Sequence, residues 1–505
     1  MSRPYINLDP VEIKIKKLLV QAAKSIDERD PERKSDLELR ITGGWVRDKL
    51  LGRDSHDIDI SINRLTGNKF ANKLNGFLRS NRSWKLDPTP VFTVPSNPDK
   101  SKHLETTTIQ LFDRDIDLVN LRSEEYTNES RIPSMDFGTA ESDALRRDAT
   151  INALFFNLQT GEIEDFTGHG LHDLRQGVIR TPLEPIKTFT DDPLRVLRLI
   201  RFSSNYNFKI EESTYQAMKL DVVKKALEEK VSKERVGIEL RKTLCGPNAL
   251  IGYKTLYTAG LFPILFKPVG LNVTDEQESA INDAVQHYIN AFSYLQNLRP
   301  IPIVGAENEN SEVYIRTNLE AIYLYTALNV WAINTDSTMR PSKAQKTIMT
   351  IIKDSLKLPG RVADNVVDLI DQVKVIIDIA DKKSFSRLSV AYFIRALKGN
   401  YVYGIYSALV TKLAETSNLS LEEKQEVVKK FENLLSYIEE EKLTNVADQK
   451  PSVNGKEIMQ LYGGLKNGPW MKEVVRQAFA YELEHPHAPR EELEQYILSI
   501  KPEDL

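Results

Sequence analysis

From residue 11 to residue 61 the hydrophobic pattern changes period repeatedly. VEIKIKKLLVQAAKSI (11–26) sets Ile13, Leu18, Val20 and Ala22 near one side of a 3.6-residue wheel and predicts an amphipathic helix lying beneath a sheet. Leu37, Leu39 and Ile41 then alternate with polar residues at the two-residue period of a half-buried strand, until Gly43-Gly44 breaks the alternation. A short helix from Trp45 to Leu51 is predicted next, closed by Gly52. Asp57-Ile58-Asp59-Ile60 follows as a second strand, with both isoleucines toward the core and both carboxylates on the other face.

Residues 64–85 read as another helix and its exit. PTPVFTVPSNPDKSKH carries four prolines and reads as a loop. HLETTTIQLF and DIDLVNLR predict paired strands around a turn near Asp113-Arg114, with Asp115 and Asp117 on one face. Tyr126 to Ser142 has no clear period and is broken by Pro133 and Gly138. ALRRDATINALFFN then places Arg146, Arg147 and Asp148 before an apolar segment, and EIEDFTGHGLHDLRQGVIRTP offers a strand, a turn at Gly168 and Gly170, and a short helix ended by Gly177. In TFTDDPLRVLRLIRF, Thr190 is a candidate cap for a helix admitting Pro193 in its first turn and burying Leu194, Leu197, Leu199 and Ile200.

Beyond about residue 250 the apolar spacing is helical to the end. GAENENSE and NTDSTMRPS read as loops, and TNVADQKPSVNG separates the last helices. The fold class is therefore α+β: a head (1–180) with a small mixed β-sheet, then an all-α neck (181–250), body (251–440) and tail (441–505).

The chain has 505 residues, 41% of them apolar, enough for several packed domains. No run of eighteen apolar residues exists, which argues against a membrane span. The one cysteine, Cys245, leaves no internal disulfide and reads as a core residue of a protein in a reducing compartment. A net charge of −4 confines any RNA-binding surface to a local patch. MSRPYINLDP lacks the apolar stretch of a signal peptide, and Asp9, Glu12, Asp27 and Glu28 argue against an acid-poor transit sequence, so the cytoplasm is the expectation. A monomer is expected separately, on no feature of the sequence.

The chemistry concentrates in residues 36–61. Two glycines let backbone amides approach an anion closely, and the following helix aims its positive end at the same point, which suits a triphosphate. Asp57 and Asp59, two apart on one strand, repel each other unless a cation such as Mg²⁺ sits between them. Two-metal phosphoryl transfer is the natural use of that pair. A solvated strand also carries Asp-x-Asp on its open face; the Gly-Gly turn placed just before it gives both halves one ligand. His169 and His172 have no partner at zinc-ligand spacing and read as solvent-exposed.

GGWVRDKLLGRDSHDIDI resembles the signature of class II nucleotidyltransferases of the DNA polymerase β superfamily, the group that holds CCA-adding tRNA nucleotidyltransferases and bacterial poly(A) polymerases. The fungal CCA-adding type is the nearest resemblance. It implies a polymerase β-like head in which Gly43, Gly44 and Arg47 approach the triphosphate, Asp57 and Asp59 hold Mg²⁺, and Asp117 supplies a third carboxylate. Arg146, Arg147 and Asp148 match the second motif, with the arginines on phosphate, Asp148 on a ribose hydroxyl and Asn152 supporting it. Asp165 and Asp173 match a third motif and are expected to brace the head-neck junction. A mobile loop is implied near Tyr126–Ser142.

TDDPLR resembles the family's amino-acid template, usually Glu-Asp-x-x-Arg, with Asp191 one methylene shorter at the first acid. Asp192 and Arg195, three apart, share a helix face. Cytosine and adenine both present an exocyclic amine beside an unprotonated ring nitrogen, which a carboxylate and a guanidinium can read while rejecting uracil and guanine. An intrahelical ion pair is the structural alternative; Arg198 on the adjoining ridge is expected to hold the pair in register. VSKERVGIELRKTL resembles the last head-and-neck motif, with Glu234, Arg235 and Glu239 as scaffold. VNGKEIMQLYGGLKNGPWMKEVV resembles the tRNA-contacting tail, with Lys456, Lys466, Lys472 and Arg476 available to phosphates, and Arg340, Lys343, Lys346, Arg387, Arg395 and Lys398 as a continuation.

The resemblance thus implies addition of C, C and A to tRNA from CTP and ATP. A poly(A) polymerase with the same head and a nonenzymatic RNA-binding protein are the alternatives. Fungal relatives also serve the nucleus and the mitochondrion.

Overall fold

The computed structural model describes residues 4–94, 106–127, 130–267, 274–298, 319–330, 341–465 and 468–502. They form two compact units, Met1–Ile264 and Leu265–Leu505.

The first unit opens with α1 (Pro10–Glu28), whose N-terminus carries a reciprocal cap between Asp9 and Glu12. Its buried stripe runs through Ile15, Leu18, Leu19, Ala22, Ala23 and Ile26. Ile13 is exposed instead of buried. The stripe is rotated because Glu12 is taken into the core, where it accepts from Trp45 Nε1 at 3.2 Å and pairs with Lys49 Nζ at 2.9 Å.

β1 (Leu39–Thr42), α2 (Gly44–Leu50), β2 (Ile58–Ile62) and α3 (Gly67–Ser80) follow the expected order. β1 is buried on both faces, not half-buried. It lies between β2 and a later strand, so Arg40 is enclosed, satisfied by Glu164 at 2.6 Å and Glu38 at 2.7 Å. β3 (Phe92–Val94) falls where the prolines predicted only loop. It is a three-residue edge strand shortly after Pro90, a place where proline disturbs no ladder.

β4 (Thr106–Leu111) and β5 (Arg114–Asn120) form the predicted hairpin around Phe112 and Asp113, both at positive φ as a tight two-residue turn requires. β6 (Arg122–Thr127) and β7 (Ser130–Phe137) pair as a separate hairpin in the stretch that showed no period. α4 (Ala140–Leu145), β8 (Leu154–Asn157), β9 (Ile163–Asp165) and α5 (Gly170–Gln176) complete the head.

The main sheet has the order β3-β4-β5-β2-β1-β8-β9. It is mixed: β2 and β5 run parallel, and the other neighbours are antiparallel. Helix α3 crosses it closely at Gly67, where a Cβ would stand 2.5 Å from the Leu118 carbonyl oxygen.

The chain continues mostly as helices: β10 (Val178–Ile179), α6 (Pro185–Asp191), α7 (Leu194–Tyr206), β11 (Lys209–Ile210), α8 (Glu212–Met218), α9 (Asp221–Lys230), α10 (Lys233–Leu244), α11 (Ala249–Thr258) and α12 (Phe262–Phe266), the last running past the end of the first unit at Ile264. β10 and β11 make a two-residue parallel ladder beside α7. Cys245, expected in the core, is only half-buried where α10 ends.

The described part of the second unit has no strands. Its helices are α13 (Asp275–Asn297), α14 (319–330), α15 (Pro341–Thr350), α16 (Gly360–Ala380), α17 (Arg387–Ala396), α18 (Tyr401–Glu415), α19 (Leu421–Glu440), α20 (Gly455–Leu461), α21 (Trp470–Glu484) and α22 (Arg490–Ser499). The last three close around Val453, Ile458, Val474, Ala478, Leu493 and Ile497. No described helix is long and apolar enough to cross a membrane. Both loops expected near 305 and 334 lie outside the described residues.

Candidate nucleotidyltransferase site

The site is built where β2 and β5 run side by side. Their parallel register sets Asp59 opposite Asp117, and Asp57 stands exposed at the entrance to β2. Asp59 is half-buried. Burial first, then the negative charges of Asp57 and Asp117, push its carboxyl up to about 6, while the Arg147 guanidinium pulls the other way. Asp117 therefore belongs to the same field, and Thr108 Oγ1 donates to its Oδ1 at 2.6 Å. Asp115, on the same face, is exposed and turned to Gln110.

Among the described residues no set of three or more His, Cys, Asp or Glu stands at metal-ligating spacing. An ion between Asp57 and Asp59 would draw the rest of its shell from water and a ligand's phosphates, as magnesium does. The all-oxygen donors and the raised Asp59 fit such a cation. His169 and His172 are exposed, as expected.

The turn before α2 faces this corner. Gly43 adopts φ +74°, and a Cβ there would come 3.0 Å from Arg147 Nη1, so the guanidinium rests on the turn. Arg147 also donates to the Asn152 carbonyl at 3.1 Å and to Asp143 at 2.8 Å. Arg146 bonds the same carboxylate. Burial alone would raise the Asp143 carboxyl; the guanidiniums of Arg147 and Arg146 hold it below its ordinary value. Sequence reading missed Asp143. Its signal was the spacing, three and four residues before two arginines.

Arg47, expected at the triphosphate, lies beside Gly44 but is buried, donating to Asp48 at 2.9 and 2.8 Å and to the Asn152 side-chain oxygen. Asn152 donates in turn to Asp148 at 2.9 Å. Asp148 is buried with both oxygens occupied, one by Asn152 and the Ala149 amide, the other by Arg198 at 2.7 Å. Burial opposes its charge, but Arg198 and Asn152 hold the carboxyl well below the usual range. Arg198 thus braces the expected ribose-reading residue by a direct bond, while the Asp192 carboxylate also acts on its charge.

The segment expected to read the base differs locally from expectation. Thr190 is inside α6, donating back to Ile186 and Lys187, and α7 begins only at Leu194 after Pro193. Pro193 has no amide to continue the helix, so Asp192 is extended between the two. The pair is therefore presented by a helix start, not by one helix face. The Arg195 amide bonds the Asp192 carbonyl at 3.1 Å. Arg195 is buried, its guanidinium donating to the Arg146 carbonyl at 2.8 Å. Arg235 of α10 reaches Asp192 at 3.3 Å, and Glu239 on the same helix accepts from Arg201 of α7 at 2.6 Å. Asp173 takes Thr150 Oγ1 at 2.8 Å and Arg180 Nε at 3.0 Å, and Asp165 takes Thr167 Oγ1 at 2.8 Å and the Leu171 amide at 2.9 Å, both structural roles.

In the second unit Lys456 and Lys472 are exposed, and Arg476 is exposed but paired with Glu473. Lys466 and Arg340 lie outside the described residues. Arg387 and Arg395 do not continue a basic track: Arg387 donates to the carbonyls of Leu483 and Glu441, and Arg395 to those of Val446 and Gln449. Lys398 pairs with Asp368 at 2.7 Å.

Residues 39–180 match the family described as the poly A polymerase head domain, and residues 207–270 match a probable RNA and SrmB-binding site of polymerase A. The mitochondrial CCA tRNA nucleotidyltransferase of Saccharomyces cerevisiae is 34% identical, covering 100% of this chain and 96% of that protein. The tRNA nucleotidyltransferase cca2 of Schizosaccharomyces pombe is 36% identical over 98% of this chain and 99% of its own. A CCA-adding enzyme solved in an apo form shares the fold, with a TM-score of 0.62 at 22% identity over 97% of this chain and 96% of that one. With identity above 30% along essentially its whole length, the chain belongs to the CCA tRNA nucleotidyltransferase family.

Proposed function

We propose that this enzyme adds C, C and A to the 3′ end of tRNA from CTP and ATP, without a nucleic-acid template and with release of pyrophosphate. The observation that carries the reading is the field at Asp59: two more carboxylates crowd it, beside a glycine turn on which Arg147 rests.

Asp57 and Asp59, with Asp117 alongside, would hold Mg²⁺. The bound ion would make the attacking 3′ hydroxyl more acidic and neutralise the departing pyrophosphate. The other roles fall to this chain's own groups. Gly43, Gly44, Arg47 and Arg147 orient the triphosphate, and Arg146 supports Arg147 through Asp143. Asp148, aligned by Asn152 and Arg198, is assigned to a ribose hydroxyl. Asp192 accepts from the exocyclic amine of cytosine or adenine, and Arg195 donates to the ring nitrogen beside it. Uracil and guanine would present a carbonyl to the carboxylate, leaving both partners unpaired. Positioning and fixed charge carry the rate.

The exposed Lys456 and Lys472, with Lys466 and Arg476, are assigned to the tRNA backbone. The yeast relative is named mitochondrial. Service in that compartment, in the cytoplasm and in the nucleus is part of the proposal.

The test supplies purified protein with Mg²⁺, tRNA transcripts lacking CCA or ending in CC, and each nucleotide alone or combined. Two C additions, one A and arrest are expected. A growing ladder of A from ATP alone would mean poly(A) synthesis, and no incorporation would leave an RNA-binding role.

A further inference from the structure

Helix α7 meets the head along a single stripe. Arg195, Arg198, Phe202 and Tyr206 follow one another at spacings of three, four and four, which is one face of an α-helix. Each faces a head residue. Arg195 donates to the Arg146 carbonyl, Arg198 to Asp148, and the Phe202 ring lies 5.7 Å from the Arg47 guanidinium. Tyr206, at the far end, donates its hydroxyl to Asp48 Oδ1 at 3.0 Å.

Tyr206 does more than close the stripe. Its ring lies 4.6 Å from the Arg47 guanidinium and 4.8 Å from that of Arg53, so one phenol sits against two cations from the α2 region. Asp48, which takes the hydroxyl, is also the carboxylate that holds Arg47 through two bonds. Burial and the nearby Asp48 charge push the phenol up to about 12, so it remains a donor throughout the working pH range. Removing the hydroxyl frees one lone pair on Asp48. Removing the ring as well takes away the surface against which Arg47 packs.

We propose that Tyr206 is a positioning residue for the triphosphate: through Asp48 and Arg47 it fixes the Gly43-Gly44 turn to the far end of α7, the helix whose first turn carries Arg195. The inference rests on the assignment of that turn to the triphosphate. CTP and ATP differ only in the base, so a fault in this clamp acts on both alike. It raises KM for nucleotide and leaves the base choice made at Asp192 and Arg195.

The experiment compares Tyr206→Phe and Tyr206→Leu with the unaltered enzyme in single-nucleotide addition, CTP on a transcript lacking CCA and ATP on one ending in CC. Thermal unfolding is recorded for each. Loss of one bond to a charged group is expected to raise nucleotide KM roughly threefold to tenfold for Tyr206→Phe, by the same factor for CTP and ATP, with kcat held. Tyr206→Leu should be worse, with the phenyl ring of Tyr206→Phe giving partial rescue.

A merely structural residue would lower the active fraction, and hence kcat in step with melting temperature, without moving KM. That result overturns the proposal. So do KM values within twofold of the unaltered enzyme in both variants, or effects that differ between CTP and ATP. Tyr206→Phe keeps the shape of the side chain, so a misfolded Tyr206→Leu leaves the test intact. Failure of the function itself is separate, since the unaltered enzyme would then incorporate neither nucleotide.

Discussion

Replacing Asp59 by Asn should cost activity and, in the absence of divalent cations, add stability. The carboxyl is raised from an ordinary 3.8 to about 6 by burial and by Asp57 and Asp117. A raised carboxyl makes the folded state hold its proton more tightly than the unfolded chain does. That stabilisation is complete below about pH 4 and is lost as pH rises through about 6. At pH 7.5 the charged group therefore opposes folding. The interval corresponds to roughly 3 kcal/mol at about 1.4 kcal/mol per pH unit, and partial exposure reduces it to about 1–3 kcal/mol. Urea unfolding in chelator should accordingly find Asp59→Asn more stable than the unaltered protein at pH 7.5. The difference should shrink at pH 5. Excess Mg²⁺ should stabilise the unaltered protein selectively and reverse the order. Incorporation should fall by about a thousandfold or more, since a metal carboxylate is gone. If Asp59→Asn is equally or less stable in chelator at pH 7.5, Asp59 does not lie in a field of like charges and the argument fails.

Three further outcomes follow from named contacts. Asp192→Ala should reduce the preference for CTP and ATP over UTP by roughly tenfold to a hundredfold in single-nucleotide assays, because the rejecting carboxylate is lost. Asp143→Ala leaves the Arg146 and Arg147 guanidiniums without their shared carboxylate and should cost about 3–5 kcal/mol in urea unfolding, with a fall in kcat/KM for both nucleotides. Arg395→Ala removes the donor to the Val446 and Gln449 carbonyls and should destabilise the 446–449 segment by about 2–4 kcal/mol, read by hydrogen exchange. Tight tRNA binding by an otherwise stable Arg395→Ala protein would agree with that structural role; a selective loss of affinity without loss of protection would return the residue to the RNA surface.

The parts legible in the sequence were those set by short-range rules. Alternating residues around Gly43-Gly44 and Asp57–Ile60 fixed strand, turn and strand, and the spacing of Asp57 and Asp59 marked the site before any tertiary contact was known. What escaped depended on neighbours far along the chain. Arg40 looks like an outward residue of a half-buried strand until Glu164, on β9, is seen to pair with it. Ile13 looks buried until Glu12 is drawn inward by Trp45 and Lys49 of α2. Arg387 and Arg395 look like a basic track because a sequence does not show which carbonyls their guanidiniums will meet. The β6–β7 hairpin has no hydrophobic alternation to announce it.

Helix α7 joins these two kinds of information. Its apolar stripe of Leu194, Leu197, Leu199 and Ile200 is buried as the periodicity requires. Its head-facing stripe, Arg195, Arg198, Phe202 and Tyr206, was visible only in part, through Arg195 and Arg198 of the template motif. Each residue of that second stripe meets a different piece of the nucleotide machinery: the carbonyl of Arg146, the carboxylate of Asp148, the guanidinium of Arg47 and the carboxylate of Asp48. On the proposed assignment, the groups for sugar, phosphate and base are thus all tied to one helix. Under that assignment one site would accept two different bases while holding the triphosphate in a single pose, which is the geometric demand that CTP and ATP place on a protein without a template.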